Sequence, residues 1–325
     1  MTSETEPLKG GSAAPALSAG SRMLRQDRAF HFVIWLSAAL VVLVLFGVLA
    51  SLLIDSLPAI RHFGIGFLWH ERWSPAKDIF GAAAPIYGTV VTSLIAMVIG
   101  VPISFGIAIF LTELCPAPLR RPIGSAIELL AGIPSIIYGL WGFFVLAPFM
   151  QSEVQPFLIK TFGHLPGIGI LFSGAPYGIG MLTAGLVLAI MVLPFITAIT
   201  RDVFNTVPVM LRESAYGLGM TTWEVVRHIV IPYTKRALVG GVMLGLGRAL
   251  GETMAVTFVI GNSHRIAASL LAPATTISAS IANEFSEATS DLYTSSLITL
   301  GLILFLITFS VLALAKWMLG RVETY

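Results

Sequence analysis

The segment FHFVIWLSAALVVLVLFGVLASLLI, residues 30–54, contains no acidic side chain, lysine or arginine. A helix rises about 1.5 Å per residue, so a segment of this length can cross the roughly 30 Å hydrocarbon core of a bilayer. A secretory signal has a shorter apolar core, of about 7 to 15 residues, followed by a small-residue cleavage site. The segment is therefore predicted to be a retained transmembrane helix.

The rest of the chain has the same apolar character. Of its 325 residues, 56% are hydrophobic and 11% are charged, whereas soluble domains have about 25% charged residues. Five further apolar segments are long enough to span a bilayer: 86–111, 123–149, 179–200, 237–262 and 292–315. We predict an all-α, polytopic membrane protein with six transmembrane helices. These helices and their loops use up the chain and leave no room for a soluble catalytic domain.

Three parts are predicted along the chain. Residues 1–27, rich in Ser, Ala, Gly and Pro at their start, should form a disordered tail. Residues 28–320 should form the six-helix domain, and residues 321–325 a short C-terminus. Thirteen Lys and Arg residues lie on the side of the two termini, and five lie in the opposite loops. Because cytoplasmic loops have an excess of Lys and Arg, both termini are predicted to be cytoplasmic.

Several functions are excluded or disfavoured by composition. The net charge is only +2, and the basic residues are spread over membrane-flanking segments, unlike a nucleic-acid footprint. A single cysteine, Cys115, excludes an internal disulfide and a thiolate metal site. No G-x-x-x-x-G-K-[ST] sequence occurs that could cradle nucleotide phosphates. We therefore expect no catalytic residue, metal site or cofactor in this chain.

Proline and glycine spacing adds expectations for the spans. Three prolines lie well inside them, where each removes a backbone donor and kinks a helix: Pro102, Pro134 and Pro194. In the fifth span two pairs of glycines stand four residues apart, namely Gly241 with Gly245 and Gly247 with Gly251. This spacing lets helix backbones approach closely in lipid. The fifth span is therefore predicted to be central to the bundle or to a subunit interface.

Ionisable residues inside the spans are candidates for a substrate path. Arg248 lies about 11 residues into the fifth span, roughly 16 Å deep, near the expected bilayer midplane. An arginine there should face a wet cavity or have a partner. Glu252 follows one turn later, so the pair could form a structural ion pair or line an anion path with Glu252 orienting the guanidinium. Glu128, about five residues into the third span, is a third candidate, or could pair with a loop arginine.

The longest connection on the side of the termini, residues 201–236, reads as two short helices. The first is predicted from Val209 to Leu218 and ends at a glycine. Thr221 and Glu224 then fit a capping box that opens a second helix. This helix should stop near Pro232, which cannot donate a backbone hydrogen bond. The segment is predicted to be a helix-turn-helix elbow that projects from the membrane.

The elbow resembles the EAA motif of ABC-importer permeases, which reads E-A-A, three residues, G, nine residues and I-x-L-P. Two positions depart from that pattern, because Ser214 replaces an alanine and Ile231 replaces a leucine. In that family the elbow docks on the ATPase subunit, and the glutamate contacts it. The resemblance implies an ATPase-coupling surface formed by Glu213, Ser214, Ala215, Gly219, Ile229 and Pro232.

Three further segments resemble the phosphate ABC-transporter permease family, PstC, over about residues 25–320. They begin at Phe80 (FGAAAPIYGT), Glu128 (ELLAGIPSIIYGLWG) and Gly247 (GRALGETMAV). The resemblance implies a MetI-like, six-helix permease of the bacterial inner membrane. It also implies four kinds of partner: a PstA-like permease, a PstB-like ATPase dimer that binds ATP and magnesium, a PstS-like periplasmic phosphate-binding protein, and phosphate itself.

Three alternatives stay open at this point. The first is an importer of another oxyanion, such as sulfate or molybdate, because a buried arginine does not distinguish tetrahedral anions. The second is an ion-coupled secondary transporter, although paired repeats with matching broken helices are not evident in the sequence. The third is a membrane-resident enzyme that uses Glu128 and Glu252 as acid and base, although no His, Ser or metal-ligand cluster accompanies them.

Overall fold

The computed structural model describes residues 16–321, with side chains for residues 27–317. Helices account for most of this range: α1 (Ala16–Phe63), α2 (Ala83–Ile109), α3 (Ala117–Ala131), α4 (Ser135–Trp141), α5 (Ala147–Phe149), α6 (Gln155–Phe162), α7 (Met181–Asn205), α8 (Val209–Gly217), α9 (Thr222–Val225), α10 (Ile231–Leu250), α11 (Met254–Val259), α12 (Ile277–Glu284) and α13 (Asp291–Arg321). Within the described residues, sheet-like pairing is limited to two isolated bridges. The predicted all-α class is confirmed.

Short π-helical turns join several of these segments into longer helices. The turn Phe110–Leu114 extends α2, and two further turns join α4, α5 and α6. The turn Val226–Val230 joins α9 to α10. In the described part of the chain, six helices are then long and apolar enough to cross a membrane: Asp27–Leu68, Ala83–Leu114, Ser135–Phe162, Met181–Asn205, Thr222–Leu250 and Asp291–Trp317. The predicted number of spans is confirmed.

The chain divides into two compact units between Ile54 and Asp55, and this boundary falls within α1. In the first unit the apolar side chains of α1 are exposed, as at Val41, which is 69% exposed. In the second unit the last turns of α1 are fixed by Ser295 of α13. The Ser295 hydroxyl donates to the carbonyl of Asp55 at 2.7 Å and accepts from the amide of Ala59 at 3.0 Å.

The centre of the second unit is α7. Its apolar window is 61% buried, the largest share among the six spans. Gly100 of α2 faces this helix, because an added Cβ there would lie 3.6 Å, an ordinary contact distance, from the carbonyl oxygen of Ala189. The Ser104 hydroxyl donates to the Leu193 carbonyl at 3.0 Å one turn further along. Close packing of small residues is how helices associate in lipid.

The glycine prediction for the fifth span is confirmed at one pair of positions. An added Cβ at Gly241 or Gly245 would lie 2.7 Å from an isoleucine of α7. At Gly247 and Gly251 the nearest atoms are 3.8 Å and 3.6 Å away, so these two glycines do not mark a tight contact. The fifth span is not the centre of this subunit, because α7 occupies that place and the fifth span is 28% buried. The alternative, that it is central to a subunit interface, stays a prediction.

The third predicted span, 123–149, is wrong in its placement. α3 ends at Ala131, and Pro134 adopts extended backbone angles, φ −57° and ψ 138°, before α4 begins. Pro134 removes a donor and restricts the residue before it, so the helix breaks where only a kink was predicted. The apolar average over 123–149 combined the end of α3 with the beginning of a separate membrane helix, Ser135–Phe162.

The fifth predicted span, 237–262, is displaced for the opposite reason. Pro232 does not stop the second elbow helix, because the π-helical turn Val226–Val230 precedes it and the helix continues to Leu250. Such turns rearrange the backbone hydrogen bonds around a proline. The helix then breaks at Gly251, inside the predicted span, and α11 begins at Met254.

The predicted tails lie largely outside the described residues. Residues 1–15 of the N-terminal tail, predicted for 1–27, are not described, and α1 already begins at Ala16. The predicted helix therefore begins later than the observed one. Residues 322–325 of the predicted C-terminus are also outside the described range.

Candidate functional site

The chain is broken between α3 and α4, just before the third span, and a side chain bridges the break. Gly132 and Pro134 separate α3 from α4. Across this gap the Tyr138 hydroxyl donates a hydrogen bond of 2.7 Å to the carbonyl of Leu130. The last carbonyls of a helix lack partners further along it, and the Leu130 carbonyl accepts from the tyrosine as well as from the Ile133 amide at 3.3 Å.

A second break directly follows the fifth span. α10 ends at Leu250, and α11 begins at Met254. The Glu252 carboxylate lies in the gap, where it accepts a hydrogen bond of 3.3 Å from the amide of Ala255. It therefore caps the first turn of α11, whose amides would otherwise lack partners.

The two breaks lie against one another. Gly139 of α4 packs on α11 so closely that an added Cβ would lie 2.8 Å from the Phe258 ring and 3.1 Å from the Cα of Ala255. Two of the segments quoted from the sequence, those beginning at Glu128 and Gly247, each contain one break. Their resemblance to a permease family is therefore concentrated where two interrupted membrane helices meet.

Arg248 lies in the last turn of α10 and is exposed. Its guanidinium carbon is 5.8 Å from the centroid of the Phe195 ring, a cation–π distance. Its charge also acts on Tyr138. The negative end of the helix dipole favours a cation at this position.

The predicted pairing of Arg248 with Glu252 is not observed. Among the ion pairs of the described residues none joins these two side chains. The prediction assumed a continuous helix, in which residues four apart share a face. Because α10 ends at Leu250, Glu252 leaves that face and caps α11 instead.

Glu128 has a different partner. Its carboxylate accepts a 2.7 Å hydrogen bond from Nη2 of Arg201, which lies near the end of α7. The Glu128 side chain is 52% exposed, and that of Arg201 is 22% exposed. The same guanidinium group also contacts Asp202 at 3.0 Å. Glu128 thus forms the arginine pair that the sequence left open as an alternative to a place in the path.

The elbow has the local geometry expected from its sequence. α8 ends at Gly217, and Gly219 adopts a left-handed backbone angle, φ +85°, that favours glycine. The amide of Thr221 donates to the Glu224 carboxylate at 2.8 Å, and the amide of Glu224 donates to the Thr221 hydroxyl at 3.4 Å. The predicted capping box is therefore present.

The motif residues of the elbow divide into buried and exposed sets. Ala215 is 3% exposed and belongs to an apolar cluster that also includes Phe204, Val225 and Val230. Ile229 is half-buried against the same cluster. The exposed motif residues are Glu213, Ser214, Gly219 and Pro232.

Large apolar side chains surround the exposed motif residues. Leu218 is 83% exposed, Met210 is 76% exposed and Trp223 is 62% exposed. All three are exposed apolar side chains of the elbow, and Met210 stands one helical turn before Glu213 in α8. Exposed apolar surface of this kind marks protein interaction sites.

A buried ion pair that the sequence did not predict lies beneath the elbow. Nη1 of Arg212 lies 2.9 Å from Oε1 of Glu113, which is in the turn that extends α2. The two side chains are 17% and 5% exposed. The one indication in the sequence is that Arg212 directly precedes the motif glutamate, Glu213. Its partner is about 100 residues away in the chain, so only the fold reveals the pair.

A second missed cluster lies at the opposite end of the bundle. His264 stacks on the Trp73 ring, with centroids 5.1 Å apart, and its Nε2 lies 3.3 Å from the Glu284 carboxylate. The same carboxylate accepts hydrogen bonds from the Trp73 indole and, at 2.6 Å, from the Tyr293 hydroxyl. Burial lowers the pKa of His264, and the nearby Glu284 opposes that shift.

Among the described residues no group of three or more His, Cys, Asp or Glu side chains could hold a metal ion. Three regions remain as candidates for function. They are the two helix breaks with Arg248, the elbow, and the His264 cluster at the far end. Together they describe a bundle of apolar spans with helix breaks beside two of them and an elbow that carries exposed apolar side chains.

The chain belongs to the family of binding-protein-dependent transport system inner membrane components, whose family model matches residues 100–324. Its relatives include proteins named phosphate transport system permease protein PstC. The chain is 64% identical to the one from Mesorhizobium japonicum, over 93% of this chain and 92% of the relative. It is 59% identical to the one from Pasteurella multocida, over 88% of this chain and 89% of the relative.

Solved structures of ABC importers share the fold. A bacterial alginate ABC transporter in complex with an alginate-bound periplasmic protein matches with a TM-score of 0.62 and 15% identity, over 92% of this chain and 98% of that one. The MetNI methionine ABC transporter in an inward-facing conformation matches with a TM-score of 0.52 and 17% identity, over 73% and 91%. The predicted MetI-like permease fold is confirmed.

Proposed function

We propose that this chain is the permease subunit of an ATP-driven importer and forms part of the transmembrane path for inorganic phosphate. The substrate is supported by the relatives named as phosphate permeases, which are 56–64% identical over most of the chain. The observation that carries the path assignment is Arg248. It is an exposed cation in a membrane helix, with no ion pair to another described residue.

A free arginine in this position suits a divalent oxyanion. A charge inside the membrane must face water, a ligand or a partner, because lipid cannot solvate it. The guanidinium fork of Arg248 matches two phosphate oxygens, and its contact with Phe195 orients the fork. A single arginine attracts phosphate without holding it too tightly, as conduction requires. Glu252 caps α11 and does not pair with Arg248, so in this proposal its negative charge acts on the path without holding the guanidinium.

Power for transport comes from a separate subunit in this proposal. The elbow presents Glu213 together with exposed apolar side chains that include Leu218 and Trp223. This surface docks a PstB-like ATPase dimer, which binds ATP and magnesium and hydrolyses the nucleotide. The chain itself is non-catalytic and holds no cofactor, and Glu113 with Ala215 fixes the elbow to the bundle from below.

The remaining partners follow from the two other surfaces. A PstA-like permease completes the path on the exposed side of Arg248. At the far end, Trp69 is 80% exposed and Tyr177 is 57% exposed, and these loops receive a PstS-like phosphate-binding protein. This arrangement places both termini and the elbow in the cytoplasm and the far end in the periplasm of a bacterial inner membrane.

The competing functions are less well supported. Arg248 alone would also accept sulfate or molybdate, so another oxyanion is the second candidate. An ion-coupled secondary transporter has no use for an ATPase-docking elbow. An enzyme that uses Glu128 and Glu252 as acid and base is disfavoured because Glu128 pairs with Arg201 and Glu252 caps α11.

The test is uptake of labelled phosphate by cells that lack this gene and by cells in which it is restored. Unlabelled phosphate, sulfate and molybdate are added in excess as separate competitors. We expect uptake to return with the gene and to be reduced only by unlabelled phosphate. Loss of sulfate or molybdate uptake in the deletion strain, with normal phosphate uptake, would replace the substrate. Equal uptake with ATP depleted would remove the ATP-driven mechanism.

A further inference from the structure

One guanidinium group connects the elbow to two membrane helices. Nη1 of Arg212, on α8, lies 2.9 Å from the carboxylate of Glu113 at the end of α2. Nη2 of the same side chain donates a 2.6 Å hydrogen bond to the carbonyl of Phe204 at the end of α7. Arg212 thus contacts the ends of both helices from the position next to Glu213.

The two helices that Arg212 joins form the core of the subunit. Along their shared face, Gly185 of α7 would place an added Cβ 2.5 Å from Ile95 of α2. Ser104 of α2 donates to the carbonyl of Leu193. Because such packed helices move as a body, a displacement at their elbow end is passed to the rest of the bundle.

Apolar packing reinforces the same connection. Ala108 of α2, Phe204 of α7 and Ala215 of α8 belong to one buried cluster. Leu238 of α10 joins them, so the helix that ends at Arg248 also rests on this cluster. One apolar cluster therefore contacts the elbow, the central pair α2 and α7, and α10, which bears Arg248.

Stability alone does not explain why this ion pair is buried. Oε1 of Glu113 and Nε of Arg212 are buried without a hydrogen-bond partner among the described residues. The contact to Nη1 is short but falls outside hydrogen-bond geometry. Replacing a buried ion pair with apolar residues of similar volume is often neutral or stabilising. Retaining the charges therefore calls for a role beyond holding the fold together.

We propose that Arg212 and Glu113 are positioning residues that transmit movement of the ATPase-docked elbow to the α2–α7 pair. This inference rests on the proposed function, in which the elbow docks the ATPase. The guanidinium holds the elbow in fixed register with both helix ends, since its fork contacts two acceptors at once. An apolar pair keeps the elbow in place but lets it slide over the cluster beneath it, so hydrolysis is no longer matched to transport.

The test uses the complete importer in proteoliposomes, with its loaded binding protein, ATP and labelled inorganic phosphate. The main variant is Glu113→Leu with Arg212→Met, which replaces the pair by apolar residues of similar size. Arg212→Lys keeps the positive charge but loses the fork. Arg121→Gln, at an exposed arginine of α3, is the matched control. The measurements are co-purification of the ATPase, ATP hydrolysis, and phosphate moved per ATP.

We expect the double variant to recruit the ATPase and hydrolyse ATP, while phosphate moved per ATP falls by about tenfold, within the usual range of coupling between sites. Arg212→Lys should move an amount of phosphate per ATP that lies between those of the double variant and the unaltered protein. Arg121→Gln should move as much phosphate per ATP as the unaltered protein. An unchanged ratio in the double variant would overturn the inference. If that variant does not assemble, an unchanged ratio in Arg212→Lys overturns it. An unaltered complex that hydrolyses ATP but moves no phosphate would overturn the proposed function itself.

Discussion

The Tyr138 hydroxyl bonds to the carbonyl of Leu130, 2.7 Å away, across the break between α3 and α4. Tyr138 is 9% exposed, so this bond is largely shielded from water. The next residue, Gly139, packs directly on α11. The angle between α3 and α4 is therefore set by the same turn of α4 that contacts α11.

Tyr138→Phe should destabilise the protein without changing its fold. The Leu130 carbonyl would keep its hydrogen bond from the Ile133 amide and lose the one from the tyrosine, which is worth about 0.5–1.5 kcal/mol. We expect a lower melting temperature for the purified subunit in detergent, measured by tryptophan fluorescence. Tyr177→Phe, at a tyrosine that is 57% exposed, is the control and should melt like the unaltered protein. Equal melting of Tyr138→Phe and this control would show that the bond contributes nothing.

Arg248→Gln should abolish most phosphate uptake while the complex still assembles. An interaction with a charged group is worth about 1.5–3 kcal/mol, so loss of the guanidinium should reduce uptake by about tenfold or more. Arg248→Lys keeps the charge and should retain part of the activity. The measurements are initial uptake rates and co-purification of the ATPase. Normal uptake by Arg248→Gln would return the residue to a structural role.

The sequence predicted features that depend on local chemistry better than features that depend on the fold. The capping box of Thr221 and Glu224 and the left-handed turn at Gly219 are decided within a few residues, and both are present. The ends of the third and fifth spans were misplaced. A hydropathy average cannot distinguish a kink at Pro134 from a break, or foresee a π-helical turn that carries a helix past Pro232.

The candidate site shows the same division. Arg248 could be selected because a charge in an apolar segment is conspicuous in a sequence. Its relation to Glu252 could not, because the four-residue spacing implies contact only if the helix continues. The contact between Arg212 and Glu113 could not be predicted from the sequence, for another reason. Glu113 follows an apolar segment and Arg212 lies within the elbow, places where charges are ordinary, and only the fold buries them together.

Glu213→Lys should prevent recruitment of the ATPase without affecting insertion. Glu213 is exposed on α8, so its replacement leaves the packing beneath the elbow unchanged. Reversal of a charge at a docking surface should reduce co-purified ATPase by at least about tenfold. Glu153→Lys, an exposed glutamate far from the elbow in the sequence, is the matched charge reversal and should recruit the ATPase normally. Normal co-purification with Glu213→Lys would contradict the docking role.

Gly88→Ala should be far more damaging than the same change elsewhere in α2. An added Cβ at Gly88 would lie 1.9 Å from the backbone carbonyl oxygen of Thr275, which cannot rotate away. Overpacking of this kind costs about 1–3 kcal/mol or more. At Gly106, in the same helix, nothing lies within 4 Å of an added Cβ. Gly106→Ala should be neutral or slightly stabilising, and equal melting temperatures for the two variants would show that α2 and the Thr275 loop do not pack as described.

Stability of the far end should fall as the pH is lowered through the range in which histidine titrates. Burial lowers the pKa of His264 below its ordinary value of 6.5 in the folded protein, despite the opposing charge of Glu284. The unfolded chain therefore takes up the proton first, so the stabilisation is complete above about pH 6.5 and is lost progressively below it. We expect the melting temperature to drop between pH 7.5 and pH 5, and His264→Gln to remove part of that drop, whereas His164→Gln, at an exposed histidine, should leave it unchanged. An identical pH dependence in His264→Gln and the unaltered protein would mean that this histidine binds its proton equally well in the folded and unfolded chain, which would contradict the effect of its burial.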